Sequence, residues 1–446
     1  MNLILKKYSN GIFLFSSLLF IISVLALGYT THQKEFLQIF IFASFAFLGY
    51  LSLGFLNSPS LKAILIIGLI VRAALIFSFP NLSDDIFRFV WDGHLTANGL
   101  NPYGYLPSDI VSQNIPNLNH TLYDEMNSPN YFTIYPPFTQ LIFYISTLLD
   151  IGPWHGIRLS TVIIKIIFFV AEVFTFIGIV KLLESLHYNK KLVAVYFLNP
   201  LVIIEGMGNL HFEILMVNFL VWSIYYLFVR SNIRLGSAFL VFSIASKLLP
   251  LMFLPYFLFR LKSNNRIRFF TWVTILLVLI FSPIAFGLDF ANFGASIDLY
   301  FQKFEFNASI YYLLRYIGKA ISGYNLIYYL GPILGIGVVL SIIKKAKKNK
   351  KYETIDFINF AFFSFSLYLF TATTVHPWYL IIPILLSVFV PWKFAIIWSF
   401  LILISYINYS YSPYYENLWV VAIEYFLVFG FLYYEYRYPS RNLTIR

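Results

Sequence analysis

Apolar positions run along this chain in unbroken stretches, with neither the alternation of half-buried strands nor the narrow stripes of surface helices. Continuous Leu/Ile/Phe-rich runs occupy residues 12–30, 36–56, 61–79, 159–183, 190–207, 211–229, 233–247, 249–259, 268–286, 324–343, 354–375, 377–391, 393–411 and 416–434. A spanning helix needs roughly 20 apolar residues, and in lipid only helices and closed barrels satisfy their own backbone. A barrel would show short alternating segments. The pattern therefore predicts an all-α, polytopic transmembrane bundle of about 12–14 spans. The first run lacks a small-residue cleavage pattern and leads straight into further spans, so it reads as a retained helix.

Composition narrows the class. Of 446 residues, 59% are hydrophobic, 21% aromatic and 11% charged, with a mean hydropathy of +0.75, whereas soluble chains are about 25% charged. A soluble enzyme, a coiled coil and a disordered chain are excluded. Cysteine is absent, which removes disulfides, thiolate metal sites and Cys nucleophiles. The net charge of +11 would suit nucleic acid, but its placement follows membrane topology instead, and no nucleic-acid partner is expected.

Residues 135–149 are the ambiguous segment: apolar, short, and opened by Pro136-Pro137. If they do not cross, 22 of the 31 Lys and Arg lie on one side. Six lie on the other (Lys34, Arg88, Arg158, Lys303, Arg315, Lys319), and Arg72, Lys165 and Lys247 fall within spans. The positive-inside rule then makes the crowded side cytoplasmic, with both termini on it and the run 344–351 as a solvated loop near anionic lipids. Residues 135–149 become a juxtamembrane helix on the outer face. The chain reads as one integral-membrane domain over 1–446, with exterior segments at 80–158 and 287–323. Most loop carboxylates collect there, among them Asp84, Asp85, Asp92, Asp150, Asp289 and Glu305.

The densest polar stretch runs from Ser83 to His94. Ser83 is placed to cap a helix whose first turn holds Asp84 and Asp85, where the dipole favours negative charge. Asp85, Arg88 and Asp92 then share a face, while Phe87, Val90, Trp91 and Leu95 face lipid or other helices. The bland alternative is a capped interfacial helix whose acids only serve its start. Asn209-Leu210-His211-Phe212-Glu213 falls at a hairpin tip, Lys247 ends a short span where a buried cation is expensive, and His376-Pro377-Trp378-Tyr379 lies between spans, where an aromatic belt is the plain reading. Arg72, Lys165, Glu172 and Glu424 read as interhelical polar pairs. Asp84, Asp85, Arg88, His211, Lys247 and His376 share one outer level. A carboxylate beside cations suits deprotonation of a hydroxyl while a phosphate leaving group is stabilised. No Gly-rich phosphate loop is present, so an activated donor that is itself a lipid is expected.

These residues, together with Gly99-Leu100-Asn101-Pro102-Tyr103 and Tyr135-Pro136-Pro137, resemble the GT-C superfamily of polytopic glycosyltransferases. The nearest likeness is to bacterial polyprenyl-phosphate-sugar-dependent mannosyltransferases related to the glycosylphosphatidylinositol-anchor enzyme. The resemblance covers roughly residues 60–390. It implies an acidic motif in the first large exterior loop, juxtamembrane helices within that loop, and a lipid-phosphate-linked sugar donor. The family's Asp-x-Asp stands here as Ser83-Asp84-Asp85, with Asp85 matching the second Asp. The expected activity is inverting transfer of a hexose, mannose foremost, from a polyprenyl-phosphate carrier to a lipid or glycan acceptor outside the cytoplasmic membrane. Asp85, or Asp84, is the expected base. Lys247, His376 and Arg88 are expected on the donor phosphate, and Asp92, His211, Glu213 and Tyr135 in substrate positioning. A divalent metal stays open: Asp84, Asp85 and His94 offer ligands at a spacing that matches no dedicated site. Two other classes compete. A lipid or sugar transporter predicts inverted repeats and midplane polar sites, and an assembly subunit predicts indifference to loss of the aspartates.

Overall fold

The computed structural model describes residues 2–56, 59–148, 156–286, 289–348 and 351–438. Residues 149–155, 287, 288, 350, 441 and 446, which belong to the segments and charges counted above, lie outside them. Each apolar run forms helix, and among the described residues the only β pairing is an isolated bridge between Phe306 and Thr374. The all-helical membrane class is as expected. Among the described residues seven helices have the length and apolarity to cross a bilayer: Asn10–Tyr29, Phe36–Gly54, Gly156–Ser185, Ser263–Ile284, Ile327–Lys348, Thr354–Thr371 and Leu418–Arg437.

The other runs give shorter pieces than the sequence predicts, for two reasons. Proline breaks some of them: Lys190–Phe197 and Val202–Gly208 are bent by 61° around Pro200, which lacks an N–H and disfavours helix in the residue before it. Others are apolar because protein, not lipid, surrounds them. The helix Ile381–Ser387 is buried at every residue, and an apolar run alone does not tell these cases apart.

Charges inside the bundle are paired, as the plain reading expects. Arg72 binds Glu172 at 2.6 Å and donates to the Phe197 carbonyl at 2.8 Å, while Tyr196 donates to the other Glu172 oxygen at 2.7 Å. The Lys165 ammonium is capped by the Ser78 hydroxyl and carbonyl, each at 2.7 Å. Glu424 accepts from Trp398 at 2.7 Å and Asn307 at 3.2 Å.

The frame around the acidic loop is what positions the site. The helix Asp85–Ala97 begins with the Asp85 N–H on the Ser83 hydroxyl at 3.4 Å. Ser83 therefore supports the start from one residue before the cap position, which Asp84 occupies without a capping bond. Val90, Trp91 and Leu95 are buried against protein. The helix stops at Asn98, followed by Gly99 at φ 75°, a left-handed position that suits glycine. Its partner is the eleven-residue helix Pro137–Thr147, about 16 Å long and too short to cross a bilayer core of about 30 Å. Gly93 permits their contact, since a Cβ there would sit 2.6 Å from the Phe143 carbonyl oxygen. Phe89 stacks on Phe143 at 4.4 Å, and Phe212 meets both edge-on at 5.4 and 5.3 Å. This aromatic knot ties the acidic helix, the helix Pro137–Thr147 and the His211 turn into one rigid unit.

Candidate active site

A cavity of about 420 Å³ opens at the N-terminus of the acidic helix, with Asp84, Asp85, Arg88, Tyr135, Lys247 and His376 on its wall. Six of the nine residues singled out from sequence therefore meet there, drawn from segments nearly 300 positions apart. Asp85 is fixed from two sides: Tyr135 donates to Oδ2 at 3.1 Å and Asn127 to Oδ1 at 3.2 Å. Tyr135 is itself anchored, its carbonyl accepting from the Tyr103 hydroxyl at 2.6 Å. Burial pushes the Asp84 carboxyl above the ordinary carboxylate range; the Asp85 and Glu125 charges push the same way, and Lys34 opposes. Asp85 is thus the oriented carboxylate, and burial disfavours the charge on Asp84 beside it.

The cations differ in what they have left to offer. The helix Ile233–Ser246 ends where Lys247 turns extended, and Thr139 holds that turn through the Ser246 carbonyl at 3.1 Å. The Lys247 ammonium lies 2.9 Å from Glu213 and remains open to the cavity. Arg88 is largely spent on structure: it binds Asp92 at 2.8 Å and the carbonyls of Ser128 and Tyr131 at 3.1 and 2.8 Å. Its Nη2 is buried without a hydrogen-bond partner among the described residues. His376 differs from the other two in charge. Burial lowers its imidazole to about 3; Asp85 opposes this while His211 and Lys247 reinforce it. The ring is neutral at physiological pH, so it offers a phosphate one hydrogen bond and no charge.

Asp92, His211 and Glu213 are not on the cavity wall; they stand behind it. Asp92 is fully buried, pairing with Arg88 and accepting from Gln140 at 2.8 Å. Glu213 is fully buried beneath Lys247. His211 lies with Nδ1 3.8 Å from Asp85 and stacks on Trp378 at 3.7 Å. Each of the three touches a residue that lines the cavity: Asp92 meets Arg88, Glu213 meets Lys247 and His211 meets Trp378. His94 is buried at the far end of its helix, nine positions from Asp85. Among the described residues no group of three His, Asp or Glu side chains is set to hold a metal ion.

Sequence reasoning missed five contributors. Trp378 lies between His211 and His376, stacked on the latter at 4.4 Å, and Phe306 covers the outer face of His376 at 4.8 Å. Tyr409 and Tyr414 complete the wall. Glu205 sits 3.3 Å from His211 Nε2; its signal was a carboxylate within an apolar run, in Val202–Gly208. Two segments far apart in sequence close over the site together, with Asn101 donating to Asp289 at 2.6 Å and Ser296 to the Phe132 carbonyl at 2.8 Å.

A second, apolar groove of about 720 Å³ runs between the Leu248–Met252 turn and the helix Ile327–Lys348, and it shares Tyr135, Lys247 and Tyr379 with the polar cavity. A helical membrane bundle with an acidic cavity that opens into a lipid-sized groove has the make-up of a polytopic membrane glycosyltransferase. Residues 15–262 match the family model described as alpha-(1->6)-mannopyranosyltransferase, N-terminal domain, and the chain belongs to that family. The match includes Asp84, Asp85, His211 and Lys247. A 107-residue stretch is 34% identical to "GPI mannosyltransferase 1" of Candida albicans, covering 23% of this chain and 26% of the relative. The chain thus spans about a quarter of that relative's length.

Proposed function

We propose that the protein transfers mannose from a polyprenyl-phosphate carrier to a lipid or glycan acceptor, with inversion, at the outer face of the cytoplasmic membrane. The observation that carries this reading is the shared wall of cavity and groove. Lys247 lies where an isoprenoid chain in the groove would place its phosphate. In the reaction the acceptor oxygen attacks the anomeric carbon and its proton passes to Asp85. The bond from that carbon to the phosphate oxygen breaks, and polyprenyl phosphate leaves with the electron pair. Lys247 offsets the charge that develops on the phosphate, the neutral His376 adds a hydrogen bond, and the Arg88–Asp92 pair holds the loop around Ser128–Tyr131 in place. The charge pattern, with 22 of 31 basic residues on one side, supports the outward placement of Asp85.

Gly335 gives the test. It lines the groove, and a Cβ there would meet open space, so Gly335→Trp fills the groove without a backbone clash. It is expected to raise the KM for a long-chain polyprenyl-phosphate mannose roughly tenfold or more, through lost apolar burial, and to leave turnover of a short-chain donor unchanged. Equal effects on both donors would contradict the groove as carrier site.

A further inference from the structure

A further groove, of about 880 Å³, lies between the helices Ile310–Ser322 and Leu418–Arg437. Among the described residues it shares no lining side chain with the polar cavity or with the apolar groove beside Lys247. Leu418, Val421, Ala422, Tyr425, Phe426 and Phe429 form its floor at helical spacing, a stripe about 16 Å long at 1.5 Å per residue. That is half of a hydrocarbon core of about 30 Å, the depth of one leaflet. The facing helix adds Leu313 and Tyr316, which are exposed, as Phe426 is. Ahead of that helix the Asn307 carbonyl accepts from Tyr425 at 2.7 Å, whereas Tyr312, within it, donates to Glu416, before the second helix begins. The two helices therefore run in opposite senses. Arg315 and Lys319, one and two turns past Tyr312, are the charged residues of the lining and stand at the end where the second helix starts. Arg315 lies 4.2 Å over the Tyr312 ring and binds Glu305, which also accepts from Asn325 at 2.7 Å. Glu305 is on the wall of the polar cavity, so the charged end of the groove and the cavity share one level of the membrane.

We propose that this groove binds one anionic phospholipid of the leaflet that the cavity faces, its phosphate on Arg315 and Lys319 and an acyl chain along residues 418–429. The site lies outside the transfer reaction and does not depend on which carboxylate is the base. Arg315 has one nitrogen, Nη1, on Glu305, and a guanidinium carries five donors in a fork that matches a phosphate. Lys319 is exposed at the same end and adds a second cation. The nearby carboxylates stand behind the lining: Glu305 borders the cavity, and Glu416 accepts from the Tyr312 hydroxyl and the Asn307 N–H. A zwitterionic headgroup would bring its own cation up to Arg315 and Lys319; an anionic one meets them with net negative charge. The sugar donor does not suit the groove, because its sugar must reach Asp85, on a wall that the groove does not share.

The chain has no cysteine, so Ala422→Cys, at an exposed position on the groove floor, introduces a single thiol that reports occupancy. The full-length variant in detergent micelles is labelled with an apolar maleimide. Phosphatidylglycerol, phosphatidylcholine or polyprenyl phosphate is added in parallel at the same mole fraction. Phosphatidylglycerol is expected to slow labelling roughly fivefold or more beyond phosphatidylcholine, the preference that cations beside an anionic headgroup supply. Lys319→Gln in the same background should remove most of that preference, and its exposed side chain makes the exchange mild for folding. Lipid held by the basic run 344–351 is not read by this label. If Ala422→Cys is not recovered, Phe426→Cys is labelled in its place. Equal protection by the two phospholipids, or an unchanged preference in Lys319→Gln, overturns the proposal. Stronger protection by polyprenyl phosphate than by phosphatidylglycerol also overturns it and makes the groove a substrate site. None of these results bears on the base, which is read from Asp85→Asn.

Discussion

Asp85→Asn is expected to lower turnover by roughly a hundredfold or more, because general-base assistance contributes about 10²- to 10⁴-fold. The loss is chemical, not structural. Asp85 receives hydrogen bonds from Tyr135 and Asn127; an Asn carbonyl keeps one of them, and the cap position itself, Asp84, is untouched. Expression and donor affinity should therefore stay close to wild type, as measured by purification yield and by binding of polyprenyl-phosphate mannose. Asp84→Asn is the internal control. Asp84 borders the same cavity but burial disfavours its charge, so its replacement should be milder. If the severities exchange, Asp84 is the base; if both variants turn over normally, the acids serve only the helix start.

Lys247→Met is expected to weaken donor affinity as well as turnover, by roughly tenfold to a hundredfold, since it removes a charged hydrogen bond to the phosphate. It also strands Glu213, fully buried and 2.9 Å from the ammonium. Breaking one side of a buried pair costs about 3–5 kcal/mol, so the single variant should lose stability. Lys247→Met combined with Glu213→Gln separates the two effects: melting should recover toward wild type while donor affinity stays low. Wild-type affinity in the folded double variant would remove Lys247 from the donor site and leave the aspartate reading untouched.

The membrane class, the helix positions and the site differ in how far sequence reveals them. Apolar runs locate each of the seven helices long enough to span a bilayer, because burial of the backbone in lipid leaves no other structure, but they miss helices between the runs, such as Phe290–Gln302 and Ile310–Ser322. They overstate length where Pro200 bends a run and where protein surrounds the helix, as at Ile381–Ser387. Tyr135–Pro137 reads correctly as the start of a short helix, since paired prolines suit only a first turn. Six site residues are legible as costly polar groups at one predicted level. What stays hidden is which of them face the cavity. Glu213 and Asp92 have the same residue type as Asp85 but are consumed by Lys247 and Arg88. His376 looks like a cation until the Trp378 and Phe306 rings enclose it. Glu205 is hidden most deeply: it meets His211 only through the left-handed turn at Leu210, and Tyr406 comes from about 200 residues away. No local pattern carries such contacts.

The central claim is a lipid-phosphate sugar donor used by a carboxylate base in this cavity. Its most direct test is mannosyl transfer by the purified protein in proteoliposomes, with polyprenyl-phosphate mannose and a nucleotide-activated mannose supplied separately with the same acceptor. The account predicts turnover with the lipid-linked donor alone, abolished in Asp85→Asn, and a product of inverted anomeric configuration. Efficient transfer from the nucleotide sugar without any lipid carrier, or a product that retains the donor configuration, would contradict it.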